Sequence, residues 1–245
     1  MEEIWPLIAI GLIAVLAGFV HSAIGFGFGI VAISLTPFVI DAKNAHIVIS
    51  TASVPVIAMA AWTYRKGSDK KSLVQSLIGA AVCLPLGLWL FYHFDLSWLV
   101  RATGVAILAM VVLSYRNRKL AKSKEKTAGG SALVAGGVGG FLAGAVTIAG
   151  PPVAAFALQQ SWSQDHFKAY LNQFLFAVAG LKVIGLLWAG SIDGAVLLRA
   201  LVIAPLAIIG IRIGAAFSER LSGGWFQNLV AVALIAVALK FLVLG

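Results

Sequence analysis

The sequence predicts an all-α integral membrane protein that consists of two inverted repeats. Each repeat is expected to contain one broken, hairpin-like helix and three transmembrane helices, with about eight spans in total. Three observations predict this fold class: the composition, two interrupted apolar segments at matching positions, and two basic linkers. Of the 245 residues, 61% are hydrophobic and 11% are charged, whereas a soluble domain carries roughly 25% charged residues.

Six apolar segments have membrane-crossing length, which is roughly 20 residues. They lie near 44–63, 72–92, 98–115, 167–190, 194–217 and 225–244. Two further segments, 4–40 and 131–161, are too long for one crossing and too short for two. Glycine or proline interrupts them at 25–29 and at 147–152. Each is therefore predicted to form a helix, a turn and a short returning helix.

The two interrupted segments align without a gap at a spacing of 122 residues. Gly18 and Phe19 then match Gly140 and Phe141. Matched helix breaks in two halves of a membrane protein are typical of transporters with inverted repeats. The predicted organisation is a first repeat at 1–115, a linker at 116–130 and a second, inverted repeat at 131–245.

The basic residues predict how the chain crosses the membrane. They concentrate in the linkers 64–71 and 116–130, and lysine and arginine favour the cytoplasmic side. Both linkers are expected to be cytoplasmic and both termini periplasmic. Because membrane topology explains the net charge of +9, no nucleic-acid partner is expected. The single cysteine provides no disulfide framework or metal cluster, and no cofactor or metal is predicted.

The charges inside the predicted spans point to an anion. All nine acidic residues fall at a terminus or in a predicted loop, which argues against a cation substrate, because cation carriers place carboxylates at mid-membrane. Lys182 lies deep in the span 167–190 and is expected to face a cavity where an anion joins it. The alternative is that it points at backbone carbonyls. Arg212 is a second candidate, close enough to the end of its span for snorkelling to explain it.

The breaks themselves favour the same interpretation. A helix that begins after a glycine turn presents unpaired N–H groups and the positive end of its dipole, which together attract anions. Gly25, Gly27, Gly29 and Gly150 are predicted to lie in the turns, with Pro151 in the first turn of the second short helix. The alternative is that glycines permit close helix packing, as predicted for those at 136, 140, 144, 210 and 214.

Polar side chains near the breaks are candidates to complete the site. They are Ser22, Ser50, Thr51, Thr147, Asn172 and Gln173. Serine and threonine in a span often bond their own helix carbonyl instead. His21 and His46 are candidate proton sensors, with a hydrogen-bonded structural histidine as the alternative.

Several of these segments together resemble a known family. Gly25-Phe-Gly-Phe-Gly29 followed by Pro37, Ala149-Gly-Pro-Pro152, and Gly210-Ile-Arg-Ile-Gly214 resemble the TauE/SafE sulfite exporter family over essentially the whole chain. The resemblance implies transport of small sulfur-containing or carboxylic anions, such as sulfite, sulfoacetate or other organosulfonates, across a bacterial inner membrane.

The resulting hypothesis is a secondary transporter that works by alternating access, with a small anion bound at the paired half-helix N-termini near the midplane. An anion-selective channel for small oxyanions or carboxylates is the alternative. The expected partners are the anion, membrane lipid and a coupling ion, H⁺ or Na⁺. An enzyme is not predicted, because the histidines show no metalloprotease spacing and no acid accompanies them inside a span. The sequence predicts no oligomeric state.

Overall fold

The computed structural model describes residues 4–65, 67–95, 97–99, 129–160 and 162–220, with isolated positions between 101 and 108 and between 225 and 239. The regular elements of these ranges are all helical. They are α1 (Ile4–Ile24), α2 (Phe28–Leu35), a 3₁₀ turn (Thr36–Phe38), α3 (Ala42–Thr63), α4 (Lys70–His93), α5 (Gly129–Val146), α6 (Gly150–Ala157), α7 (Gln164–Trp188) and α8 (Gly194–Ser218).

Four of these helices, α3, α4, α7 and α8, are long and apolar enough to cross a membrane. Shorter apolar helices accompany them at Ile8–Ile24, Phe28–Phe38 and Ala132–Val146. The described chain therefore has the helices of a multi-pass membrane protein. The predicted spans 98–115 and 225–244 and residues 116–128 of the linker lie mostly or wholly outside the described residues.

Both predicted helix breaks are present. The first break is Gly25–Gly27, between α1 and α2, and the second is Thr147–Ala149, between α5 and α6. Gly25 and Gly27 have φ angles of 98° and 119°, where a residue without Cβ is favoured. Each break is three residues long and so shorter than the predicted interruptions at 25–29 and 147–152, because α2 begins at Phe28 and α6 at Gly150.

Two glycines predicted to lie in the turns are instead helical. Gly29 is in α2 and Gly150 opens α6, so the turn interpretation is wrong for both. Their small size serves close approach: a Cβ on Gly29 would lie 2.7 Å from the carbonyl oxygen of Thr147, and one on Gly150 would lie 3.0 Å from Phe26. The two breaks therefore pack directly against each other.

The longer helices pack in close pairs, α1 with α8 and α4 with α5. A Cβ on Gly210 would lie 2.0 Å from the carbonyl oxygen of Val15, and one on Gly140 would lie 2.4 Å from Cα of Ala80. The packing role predicted for these glycine stripes is confirmed, since small residues let membrane helices approach closely.

Hydrogen bonds from side chains join loops and helices at both ends of the bundle. At one end Ser68 donates a 2.6 Å hydrogen bond to Oε1 of Gln173, and Gln164 bonds the carbonyl oxygen of Ser218 at 3.2 Å. The first bond joins the 64–69 loop to α7, and the second joins the start of α7 to the end of α8. At the other end Tyr92 and Ser191 bond through their hydroxyls at 2.5 Å. The side of the membrane that each end faces stays a prediction.

Candidate binding site at the helix breaks

A cavity lies where the two breaks meet. Its volume, counted as the space that the centre of a water molecule can occupy, is about 50 Å³. One water needs roughly 10–15 Å³ of such space. The cavity therefore has room for about three to five waters, or for one small oxyanion. Its lining residues are His21, Phe26–Ile30, Ser50, Ser53, Ile57, Ala143, Thr147–Gly150, Leu175, Val178, Ala179 and Lys182.

Lys182 brings a buried positive charge to this cavity. It projects from the middle of α7, and 2% of its surface is exposed. Its Nζ donates a 2.6 Å hydrogen bond to Oγ1 of Thr147 and lies 5.4 Å from the ring centroid of Phe91. Within the described ranges it forms no salt bridge. Lys182 therefore lines the cavity at the breaks, and its binding of an anion stays a prediction.

Thr147 is the centre of a hydrogen-bond network at the second break. Besides Lys182, its hydroxyl contacts Nδ1 of His46 at 3.1 Å and Oγ of Ser50 at 3.2 Å. Ser50 Oγ also donates to the carbonyl oxygen of His46 at 2.6 Å. A hydroxyl has one proton and two lone pairs, so accepting from Lys182 leaves Thr147 one proton and one acceptor site for its neighbours.

His21 is held by hydrogen bonds at the first break. Its Nε2 lies 2.8 Å from Oδ1 of Asn172, and its Nδ1 lies 3.4 Å from the N–H of Phe28, the first residue of α2. A neutral ring with the proton on Nε2 satisfies both contacts. Asn172 in turn donates to the carbonyl oxygens of Lys168, at 2.8 Å, and Gly25, at 3.4 Å.

Lys168 is a buried lysine near the first break that the sequence analysis missed. It is 1% exposed, and its Nζ donates to the carbonyl oxygen of Ser22 at 2.8 Å and to Oγ of Ser218 at 2.7 Å. It also lies 4.7 Å from the ring centroid of Tyr64. The sequence analysis gave Lys168 no role, although the 122-residue spacing that relates the two breaks places it opposite His46.

Eight predicted site residues do not line the cavity, and they are Ser22, Gly25, His46, Thr51, Pro151, Asn172, Gln173 and Arg212. The hydroxyl of Thr51 donates to Ile47 of its own helix, Gln173 bonds Ser68, and Ser22 bonds the hydroxyl of Tyr64. Arg212 is exposed on α8. Asn172 lies outside the lining, although it bonds His21, which is part of it.

The described carboxylates all stay away from the cavity, as predicted. They lie at helix ends or in loops, and they are Asp41, Asp69, Asp95, Asp165, Asp193 and Glu219. Asp41, Asp69 and Asp193 accept hydrogen bonds from the first turns of α3, α4 and α8. These side chains act as helix caps, which is the ordinary role of aspartate before a helix.

Comparison with known proteins identifies the family. A family model described as the sulfite exporter TauE/SafE matches residues 10–241. The chain belongs to the TauE/SafE sulfite exporter family. Among curated proteins, a "probable sulfite/organosulfonate exporter TauE" of Cupriavidus necator is 21% identical over 242 residues, which cover 96% of this chain and 93% of the relative. No solved structure matches significantly.

The segments that carried the resemblance to the TauE/SafE family have different places in the structure. Residues 26–29 and 147–150 form much of the cavity wall. The glycines at 210 and 214 pack α8 against α1 and lie outside the cavity.

The two short helices offer different numbers of backbone donors to the cavity. In α2 the N–H of Phe28 faces His21 and that of Val31 donates to Gly27, which leaves those of Gly29 and Ile30 for a ligand. In α6 the prolines at 151 and 152 have no N–H. The first turn of α6 therefore offers fewer amides than that of α2, and binding of the anion at both half-helix N-termini stays a prediction.

Proposed function

We propose that this protein is a secondary transporter that moves a small anion across the bacterial inner membrane by alternating access. The proposed substrates are sulfite, sulfoacetate and other organosulfonates, bound between the two breaks near the membrane midplane. One observation carries the proposal: the buried ammonium of Lys182 lines a cavity of oxyanion size, and no described carboxylate neutralises it.

The energetics of the buried lysine favour an anionic ligand. A charged side chain inside a membrane is costly by several kcal/mol unless it is paired. The hydroxyl of Thr147 uses one of the three ammonium protons, so two remain for a ligand. A bound anion offsets the charge and also meets the amides of Gly29 and Ile30 at the positive end of α2.

The contacts around the breaks support the proposal of two inverted repeats. Helices α2 and α6 span 28–35 and 150–157, and α3 and α7 begin at 42 and 164, each pair 122 residues apart. Side chains of α3, from His46 and Ser50, contact the second break. From α7, Asn172 contacts the first break at Gly25, and Lys168 bonds Ser22 in the last turn of α1 beside it.

These contacts, in which each half of the chain holds the break of the other half, suggest how alternating access operates. Each proposed repeat, 1–115 or 131–245, holds the break of the other, so movement of one repeat against the other displaces both breaks and the ligand between them. The proposed orientation places the linkers 64–71 and 116–130 in the cytoplasm and both termini in the periplasm.

The test is flux in proteoliposomes with purified protein. Sulfite or an organosulfonate is expected to move at a saturable rate in the wild type, and Lys182→Met is expected to reduce that rate at least tenfold, because the charge that binds the anion is lost. Arg212→Gln, which changes an exposed cation outside the cavity, is the matched control. Equal flux in Lys182→Met and wild type contradicts the proposed site.

The same assay separates a carrier from a channel. A carrier exchanges labelled anion faster when unlabelled anion is present on the opposite side, whereas a channel shows no such acceleration. Imposed H⁺ and Na⁺ gradients identify the coupling ion. Absence of flux for sulfite, sulfonates and carboxylates in every gradient refutes the transporter proposal.

A further inference from the structure

We infer that the cavity selects a singly charged oxyanion with a short apolar group and discriminates against dianions. The inference rests on the proposed function and narrows its substrates to monoanions, so sulfoacetate, a dianion, is expected to bind weakly. Three properties of the described cavity wall carry it: its single cation, its few side-chain donors and its apolar side.

One positive charge faces the ligand. Lys182 is the only lysine or arginine among the described lining residues. Lys168, the other buried lysine near the breaks, lies outside the lining and donates to Ser22 and Ser218. A monoanion is balanced by Lys182, whereas a dianion brings a second buried charge without a partner, and a buried unpaired charge is strongly unfavourable.

The hydroxyls of the wall have no proton left for an anion. Ser50 donates to the carbonyl oxygen of His46, and Ser53 donates to that of Ser50, both at 2.6 Å. Because the proton of Ser50 goes to His46, the proton of Thr147 is directed to Ser50, and its lone pairs accept from Lys182 and from Nδ1–H of His46. Among the described lining side chains, the donor that remains is the Lys182 ammonium, and the other donors are backbone amides at the breaks.

The donors beside Lys182 suit one singly charged group. An anionic oxygen that leaves water needs hydrogen bonds to replace those it loses. Two ammonium protons and the amides of Gly29 and Ile30 suffice for the oxygens of such a group. A second anionic group, as in sulfoacetate, finds no second cation among the described lining residues.

The rest of the wall is apolar. Phe26, Ile30, Ile57, Leu175 and Val178 line the cavity and belong to one continuous hydrophobic core. Lys182, in contrast, lies over the ring of Phe91, which belongs to a second core. A ligand with its charged group at Lys182 therefore has apolar surface available for an alkyl group, and burial of each methylene raises affinity roughly fourfold.

The experiment compares anions that differ in one property at a time, by calorimetric titration of the purified protein. Methanesulfonate and ethanesulfonate differ by one methylene, hydroxymethanesulfonate replaces apolar surface with a hydroxyl, and sulfate and sulfoacetate are dianions. Ethanesulfonate is expected to bind roughly fourfold more tightly than methanesulfonate and at least tenfold more tightly than hydroxymethanesulfonate or either dianion. Lys182→Met is expected to weaken the binding of both alkanesulfonates at least tenfold.

The outcomes separate this inference from the proposed function. If sulfate or sulfoacetate binds as tightly as methanesulfonate, and binding still requires Lys182, the charge selection is refuted and the anion site stands. If hydroxymethanesulfonate binds as tightly as ethanesulfonate, the apolar wall has no role in selection. If every anion binds Lys182→Met as it binds the wild type, the proposed anion site fails too.

A pair of variants tests the apolar wall directly. Val178→Thr adds a hydroxyl to the cavity at nearly constant shape, and Val56→Thr makes the same change at a buried position outside the lining. Val178→Thr is expected to abolish the fourfold preference for ethanesulfonate over methanesulfonate, whereas Val56→Thr retains it. Retention of the preference in Val178→Thr contradicts the assignment of the alkyl group to this wall.

Discussion

The two helix breaks each separate a long helix from a short one by a three-residue turn, but with different residues. The first break turns on Gly25 and Gly27, which adopt positive φ angles without steric cost. The second turns on Thr147 at φ 63°, a conformation that a β-branched residue rarely adopts. Such a strained residue persists only where its surroundings hold it, and here the side chains of His46, Ser50 and Lys182 do so.

The buried cations beside the two breaks differ in the same way. Lys168, at the first break, donates to Ser22 and Ser218 and lies outside the cavity. Lys182, at the second, has Thr147 as its hydrogen-bond partner and lines the cavity. The comparison teaches that a buried lysine lies near each break, and that the environment of each lysine decides which one is available to a ligand.

The largest expected effect concerns the contact where the breaks meet. Gly29→Ala is expected to lower the free energy of unfolding by roughly 3 kcal/mol, because the added Cβ lies 2.7 Å from the Thr147 carbonyl oxygen in a packed interior. Gly180→Ala is the control, since its Cβ meets nothing within 4 Å and helix propensity favours alanine by about 1 kcal/mol. Thermal unfolding of both variants measures the difference, and equal stabilities contradict contact between the breaks.

Next in size is the difference between the two lysines. Lys168→Met is expected to destabilise the protein by about 2 kcal/mol, because the buried carbonyl oxygen of Ser22 loses a donor. Lys182→Met is expected to be neutral or stabilising, because it removes a buried charge that lacks an ionic partner among the described residues. Thermal unfolding without anion provides the measurement. The reverse order of stabilities refutes the distinction between a structural and a ligand-binding lysine.

A smaller effect is expected from the strained residue itself. Thr147→Val keeps the β-branched shape but removes the hydroxyl that contacts Lys182, His46 and Ser50. Loss of these bonds is expected to cost about 1–2 kcal/mol of stability. Thr147→Ser keeps the hydroxyl and is expected to stay within about 0.5 kcal/mol of wild type. Equal stability of the valine and serine variants contradicts the role assigned to the network.

The smallest expected effect concerns the helix caps Asp69 and Asp193, which compare the stability of the two halves of the chain away from the breaks. Asp69 caps α4 and Asp193 caps α8, so alanine at either position is expected to cost about 1 kcal/mol at pH 7. Hydrogen bonds from Ser72 hold the pKa of Asp69 below its usual range. The contribution of Asp69 to the free energy of unfolding is therefore full above its pKa in the unfolded chain, about 3.9. This contribution is lost as the pH falls through the lower pKa of the folded protein.

Unfolding of Asp69→Ala and wild type as a function of pH measures this last difference. The free energies of unfolding of the variant and the wild type are expected to become equal in acid, below the pKa of Asp69 in the folded protein. A difference that persists unchanged in acid assigns the effect to packing and not to the carboxylate. Unequal costs for the two caps at pH 7 show that the halves differ beyond their breaks.

Much of the site could be predicted because its signals are local. Closely spaced glycines in an apolar segment predict a helix break, and Gly25 and Gly27 do adopt the positive φ angles of a turn, whereas Gly29 and Gly150 are helical. Lys182 was found in the same way, since a lysine more than a turn from either end of an apolar helix has no route to water. The distribution of carboxylates is also visible in the sequence alone.

The tertiary structure alone decided the roles of the remaining polar residues. Whether a hydroxyl has a proton to spare depends on its partner, and the partners of Thr147 and Lys168 lie 35 to 146 residues away along the chain. Sequence spacing does not encode such contacts. Thr51 and Gln173 therefore looked as suitable for the site as Ser50 did, and Lys168 was overlooked. By itself the sequence determined the class of protein, the positions of its breaks and the sign of the charge between them. Packing decided which lysine faces the cavity, because burial and hydrogen bonding depend on neighbours that only the folded chain brings together.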